Sequence, residues 1–155
     1  MGSGHRTSDY LHRAAEHCLH HCIRSLLSLV APVDTRNEYG EMALHVAARN
    51  NCVMAVQLLL NSGASVNVEN AHGWSPLLLA ARYGCTSIVQ ELVRAGADVD
   101  FRGFHGWTAL HLSYRYDHEM TSFILLSAGA HENIPDNGGI DSRQGRWQTK
   151  CWGAL

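Results

Sequence analysis

Seven glycines most constrain what this chain can fold into. Gly40, Gly73, Gly106 and Gly139 follow one another at intervals of 33 residues, and Gly63, Gly96 and Gly129 keep the same interval. The residues between them recur in order: Ala47-Ala48 returns as Ala80-Ala81, Leu44 as Leu77 and Leu110, and Leu58-Leu59-Leu60 loosely as Glu91-Leu92-Val93 and Ile124-Leu125-Leu126. A fixed period of this size belongs to stacked repeats, not to a single layered core. Shifting back by one period sets Leu11 on Leu44, His12 on His45, Ala14-Ala15 on Ala47-Ala48 and Leu26-Leu27 on Leu59-Leu60, so a more degenerate copy lies near the N-terminus.

Each unit reads as a short helix, a tight turn, a second helix and a loop. In the clearest copy, residues 69–100, Ser75 can cap a helix through its hydroxyl and Pro76 loses nothing at the first helical position. Gly84 supplies the turn, and Ile88, Val89, Leu92 and Val93 write the apolar stripe of a second helix. Gly96 falls where a left-handed C-terminal cap belongs. Two helices this short cannot bury their own apolar face, so the unit stacks on its copies, and the expected fold is all-α.

These residues resemble the ankyrin repeat family, whose unit runs as a glycine-tipped turn, a Thr-Pro-Leu-His helix start, Ala-Ala, a turn, an apolar helix and Gly-Ala-Asp-Val-Asn. The matching pieces are Ser75-Pro76-Leu77-Leu78, Thr108-Ala109-Leu110-His111, Gly63-Ala64-Ser65-Val66-Asn67 and Gly96-Ala97-Asp98-Val99-Asp100. The resemblance implies an ankyrin-repeat solenoid of helix-turn-helix units with short β-turn or hairpin loops over residues 7–137, with repeats at about 7–36, 37–69, 70–102 and 103–135. Residues 1–6 are expected to be a flexible N-terminus and 138–155 an irregular or disordered tail. Three departures bear on this. Val30 stands where later copies carry glycine; Ser113-Tyr114 replaces the small pair, where a ring would crowd a following repeat; and Asp141, Ser142, Arg143, Arg146 and Trp147 do not continue the helix pattern after Gly139. Trp147 and Trp152 could fold back over the last repeat.

The resemblance also implies an interaction module with no chemistry of its own, binding a protein across a concave face made by the turn tips and the exposed end of each first helix. Position by position the tips are Glu38, Tyr39 and Glu41; Ala71, His72 and Trp74; Phe104, His105 and Trp107. The helix positions are Arg49-Asn50, Arg82-Tyr83 and Arg115-Tyr116. The expected partner-binding residues are Tyr39, Arg49, His72, Trp74, Arg82, Tyr83, Phe104, His105, Trp107, Arg115 and Tyr116. Trp, Tyr and Arg are the commonest interface hot spots. An arginine row suits a partner that presents carboxylates or phosphate. The same residues also read as ordinary helix surface, with each arginine stacked on a neighbouring tyrosine.

Composition narrows the alternatives. Twelve basic residues against fourteen acidic give a formal charge of −2, no field for nucleic acid, and no segment reaches the roughly 20 apolar residues of a membrane helix. The opening residues carry no apolar leader core, and five scattered cysteines fit reduced thiols, so a cytoplasmic or nuclear monomer without cofactor is expected. His17, Cys18, His20, His21 and Cys22 offer an alternative, a zinc-binding interaction protein, but residues 18–20 fall in the inter-helix turn and Cys22 aligns with Ala55 and Ile88, a packing position. A further alternative is a truncated isoform of a larger ankyrin-repeat protein that competes for its partner. His12, His45 and His111 occupy the position where the family's imidazole ties adjacent turns together, and Asn67 reads as a loop residue. No catalytic triad, phosphate loop or carboxylate pair stands out, so no enzyme is expected.

Overall fold

The computed structural model describes residues 3–29 and 31–144. Its helices alternate in pairs: α1 (Ser3–Glu16) with α2 (His20–Ser28), α3 (Ala43–Arg49) with α4 (Val53–Asn61), α5 (Pro76–Arg82) with α6 (Thr86–Arg94), and α7 (Ala109–Arg115) with α8 (Glu119–Ser127). Among the described residues β-structure is confined to two isolated bridges, Arg36 with Met42 and Pro135 with Asp141, which close turns. The chain divides into two compact units, residues 1–76 and 77–155.

In the first unit α1 packs on α2 and α3, α3 on α4, and α2 on α4. Leu11, Ala15, Ile23, Ala47 and Leu59 are fully buried there. Alanine is the residue that lets helices approach closely, and the periodic Ala-Ala pair sits at those contacts. In the second unit α7 packs on α8 and α6 on α8, around Ile88, Leu92, Leu110, Leu112 and Leu125, all fully buried. The inter-helix turns repeat one conformation: Cys18, Asn51, Gly84 and Asp117, each 33 residues from the next, are left-handed, with φ of 54°, 58°, 67° and 58°.

The histidines of the period tie one turn to the next. His12 Nε2 lies 2.8 Å from the carbonyl of Glu41, His45 Nε2 3.1 Å from that of Trp74, and His111 Nε2 3.1 Å from that of Ile140. In His45 and His111 the other ring nitrogen accepts the backbone N–H three residues earlier, from Met42 at 3.1 Å and Thr108 at 3.2 Å. Each ring therefore satisfies two backbone groups at a helix start, where amides otherwise go unpaired.

The structure departs from the expected boundaries at both ends. Helix α1 starts at Ser3, inside the stretch expected to be flexible. At the other end residues 138–144 do not open an irregular tail: the Asp136 N–H donates to the Ile140 carbonyl while the Ile140 N–H donates to Asp136 Oδ1, Gly139 takes a φ of 77°, and residues 142–144 begin a helical turn. The physical reason is capping. Asp141 occupies the register of Thr108, and its carboxylate accepts the Gln144 N–H at 2.9 Å, as an N-cap aspartate does as readily as threonine. Tyr114 is accommodated by turning its hydroxyl to Glu132, 2.9 Å away. Val30, Arg146, Trp147, Cys151 and Trp152 lie outside the described residues, so the expectations placed on them do too.

Two cysteine expectations are also corrected. Cys18 and Cys52 are not separate thiols: they form a disulfide across the turns of the first two helix pairs, with Cα atoms 5.1 Å apart. Cys22, expected to be packed like Ala55 and Ile88, is exposed, because no described element covers the outer side of α2 as α2 covers α4.

Candidate partner-binding surface

The turn tips are organised by a residue that the glycine pattern conceals. Asn37, Asn70 and Asp136 share one register. Asn37 Oδ1 accepts the N–H of Tyr39 and of Glu41, both at 2.9 Å, and Asn70 Oδ1 accepts those of His72 at 2.9 Å and Trp74 at 3.0 Å. Asp136 Oδ1 repeats the pattern with Gly138 at 2.8 Å and Ile140 at 3.0 Å. A short Asx side chain bonded to the amides ahead of it is a turn in itself. These three residues were missed by sequence reasoning; their 33-residue spacing was the available signal.

The fourth tip is built differently. Gly103 stands in the Asx register and has no side chain to accept, so residues Phe104–Gly106 wind into a 3₁₀ turn with His105 left-handed at φ 60°. This sets the His105 ring 3.9 Å from Phe104 and 5.5 Å from Trp107, centroid to centroid, and leaves Phe104 and His105 exposed. Trp107 is half-buried, and its indole N–H donates to Asp136 at 3.1 Å. Burial pushes the Asp136 carboxyl up, but the bonds from Ile140, Trp107 and Gly138, together with nearby His111, hold it below the usual carboxylate range.

The three arginines of the expected row do not share one environment. Arg49 donates to Glu41 at 2.9 Å, a carboxylate almost wholly buried, which Asn70 also contacts. Arg82 lies over the rings of both Tyr83 and Tyr116, 5.7 Å from each centroid. Arg115 is exposed, lies 5.0 Å from the centroid of Trp107, and is paired with no carboxylate among the described residues. The second unit thus gathers Arg82, Tyr83, Phe104, His105, Trp107, Arg115 and Tyr116 into two cation–aromatic groups. The stacking that ordinary surface would show is present; in the exposed Arg115 it also orders the guanidinium for an incoming acceptor.

In the first unit the expected residues border a groove of about 570 Å³ whose walls include Asp9, Arg13, Glu16, Tyr39, Arg49 and His72. Tyr39 is 55% exposed, and His72 is exposed. Trp74 is half-buried and uses its carbonyl on His45.

A family model described as ankyrin repeats in three copies matches residues 4–70 and 63–136. The chain belongs to the ankyrin repeat family. No curated protein matches it. Ankyrin repeats generally mediate protein–protein interaction and are typically non-enzymatic. Among the described residues no helix is long and apolar enough to cross a membrane. No group of three His, Cys, Asp or Glu side chains converges there as metal ligands. The zinc alternative loses a thiolate to the disulfide, since Cys18 is bonded to Cys52.

Proposed function

We propose that this ankyrin chain is a monomeric adaptor or inhibitor that binds a protein partner through Arg82, Tyr83, Phe104, His105, Trp107, Arg115 and Tyr116, and that the partner presents acidic or phosphorylated side chains there. The observation that carries the reading is Arg115: exposed, held over Trp107, and without a carboxylate partner among the described residues. A guanidinium ordered in advance loses less entropy on meeting a bidentate acceptor than a free one does. In the first unit Arg49 is satisfied by Glu41, so Tyr39, His72 and Trp74 are the contacts offered there.

Affinity capture from cell lysate tests this, with wild type beside Arg82→Gln/Arg115→Gln and bound proteins identified by mass spectrometry. A partner held by wild type and lost from the folded variant supports the assignment. Equal capture by both overturns it. Phosphatase treatment of the lysate separates the sources: loss of the partner from the wild-type capture points to phosphate, retention to carboxylate.

A further inference from the structure

The disulfide occupies a position where cysteine is out of place. The inter-helix turn is left-handed in all four helix pairs, and the other three fill it with Asn51, Gly84 and Asp117. Those are the residue types that visit this conformation most easily, whereas Cys18 has no local reason to be there. What Cys18 gains is a neighbour. Residues 34 apart in this register lie against each other: in the second unit the Gly84 position faces the His118 ring, and in the first the same offset brings Cys18 to Cys52. Cys85 repeats the register of Cys52, but residue 51 is Asn, so the pairing arises once.

The surroundings suit both redox forms. The Cα separation of 5.1 Å lies within the range a disulfide requires. The Ala15 carbonyl oxygen is 3.3 Å from Cys52 Sγ and the Asn50 carbonyl oxygen 4.0 Å from Cys18 Sγ, acceptors near each sulfur for the S–H groups that reduction would create. Asn50 Nδ2 also donates to Glu16 O at 3.2 Å, a bond across the same two turns that does not depend on the sulfurs. Accessibility is asymmetric: Cys18 is exposed and Cys52 is only 3% exposed.

We propose that Cys18 and Cys52 form a reversible thiol–disulfide exchange site whose oxidant is a small disulfide of the glutathione class. The exposed Cys18 thiolate attacks one sulfur of the oxidant, forming a mixed disulfide and expelling one glutathione thiolate. The buried Cys52 thiolate then attacks Cys18 Sγ, breaking the mixed disulfide and expelling the second. Two protein thiols lose two electrons and two protons, and one glutathione disulfide becomes two glutathiones. The product staples the turn after α1 to the turn after α3. Because Asp9 and Glu16 on α1 line the first-unit groove, oxidation fixes one wall of that groove.

The test equilibrates the full chain with glutathione redox mixtures, alkylates it, maps disulfides by mass spectrometry and follows hydrogen exchange of α1. The expected result is one internal disulfide, Cys18–Cys52, reversed by reduced glutathione. Exchange in α1 should slow by up to roughly 500-fold on oxidation, from the entropy of closing a loop of this length. Cys22→Ser should behave as wild type, while Cys18→Ser should neither pair nor slow. A persistent glutathione adduct on Cys18, pairing with Cys22 or Cys151, or α1 exchange unchanged by oxidation would each overturn the proposal. Cys52→Ser is a second control: it should trap the Cys18 mixed disulfide, and failure to do so in folded protein also counts against the order of attack.

Discussion

Replacing His45 by glutamine should remove a large part of the chain's acid sensitivity. The ring is fully buried and uses both nitrogens: Nδ1 accepts from Met42 N–H, so Nε2 carries the proton and donates to Trp74 O. A second proton would turn Nδ1 into a donor facing a donor and would place the charge in a fully buried site. Burial accordingly lowers the His45 pKa from 6.5 to about 4, with the nearby Glu41 carboxylate offsetting part of the effect. The folded pKa lies below the unfolded one, so this contribution is complete above pH 6.5 and is lost as pH falls from there towards 4. At about 1.36 kcal/mol per pKa unit, the loss near pH 5 is about 2 kcal/mol and reaches about 3.4 kcal/mol below pH 4. Urea unfolding followed by far-ultraviolet circular dichroism near pH 7.5 and near pH 5 measures it. Glutamine can donate to Trp74 but does not titrate, so the variant starts less stable and should lose about 2 kcal/mol less than wild type between the two pH values. Equal losses in the two proteins would refute the reasoning.

Two further outcomes follow from the turns. Gly40 and Gly63 are both left-handed, but a Cβ on Gly40 would meet the Ala71 backbone nitrogen at 2.8 Å, while one on Gly63 meets nothing within 4 Å. Gly63→Ala should therefore cost about 1 kcal/mol of strain, and Gly40→Ala clearly more in the same denaturation assay. Asp136→Asn keeps the turn acceptor, as in Asn37 and Asn70, but sets an amide donor against the Trp107 indole N–H, so it should cost about 1 kcal/mol near pH 7, whereas Asp136→Ala, which loses the turn bonds as well, should cost about 2–3 kcal/mol. Equal cost for the two Asp136 variants would show that its charge, not its acceptor geometry, matters.

The helices, their order and the histidine ties were legible because a 33-residue period exposes every position several times. What the period hid were features one step away from exact repetition. The Cys18–Cys52 bond depends on an offset of 34, the separation at which one turn touches the next, and comparing equivalent positions passes over it. The end of the regular pattern was placed too early because Asp141, Ser142 and Arg143 lack the apolar residues of a repeat helix, although Asp141 caps the first turn as Thr108 does. The arginine row was legible as a register but not as chemistry. Its members share a position, yet the deciding neighbours, Glu41 for Arg49, Tyr116 for Arg82 and Trp107 for Arg115, come from elsewhere in the chain.

The most direct test of the central claim is calorimetric titration of the captured partner against wild type, Arg115→Gln, Arg82→Gln and the first-unit variant Tyr39→Ala/His72→Ala. Loss of one charge-assisted bidentate contact is worth about 2 kcal/mol, roughly thirty-fold in Kd, so each second-unit substitution should weaken binding by about that factor. The first-unit variant should weaken it less. Affinity unchanged by Arg82→Gln and Arg115→Gln, in proteins whose circular dichroism matches wild type, would contradict the account.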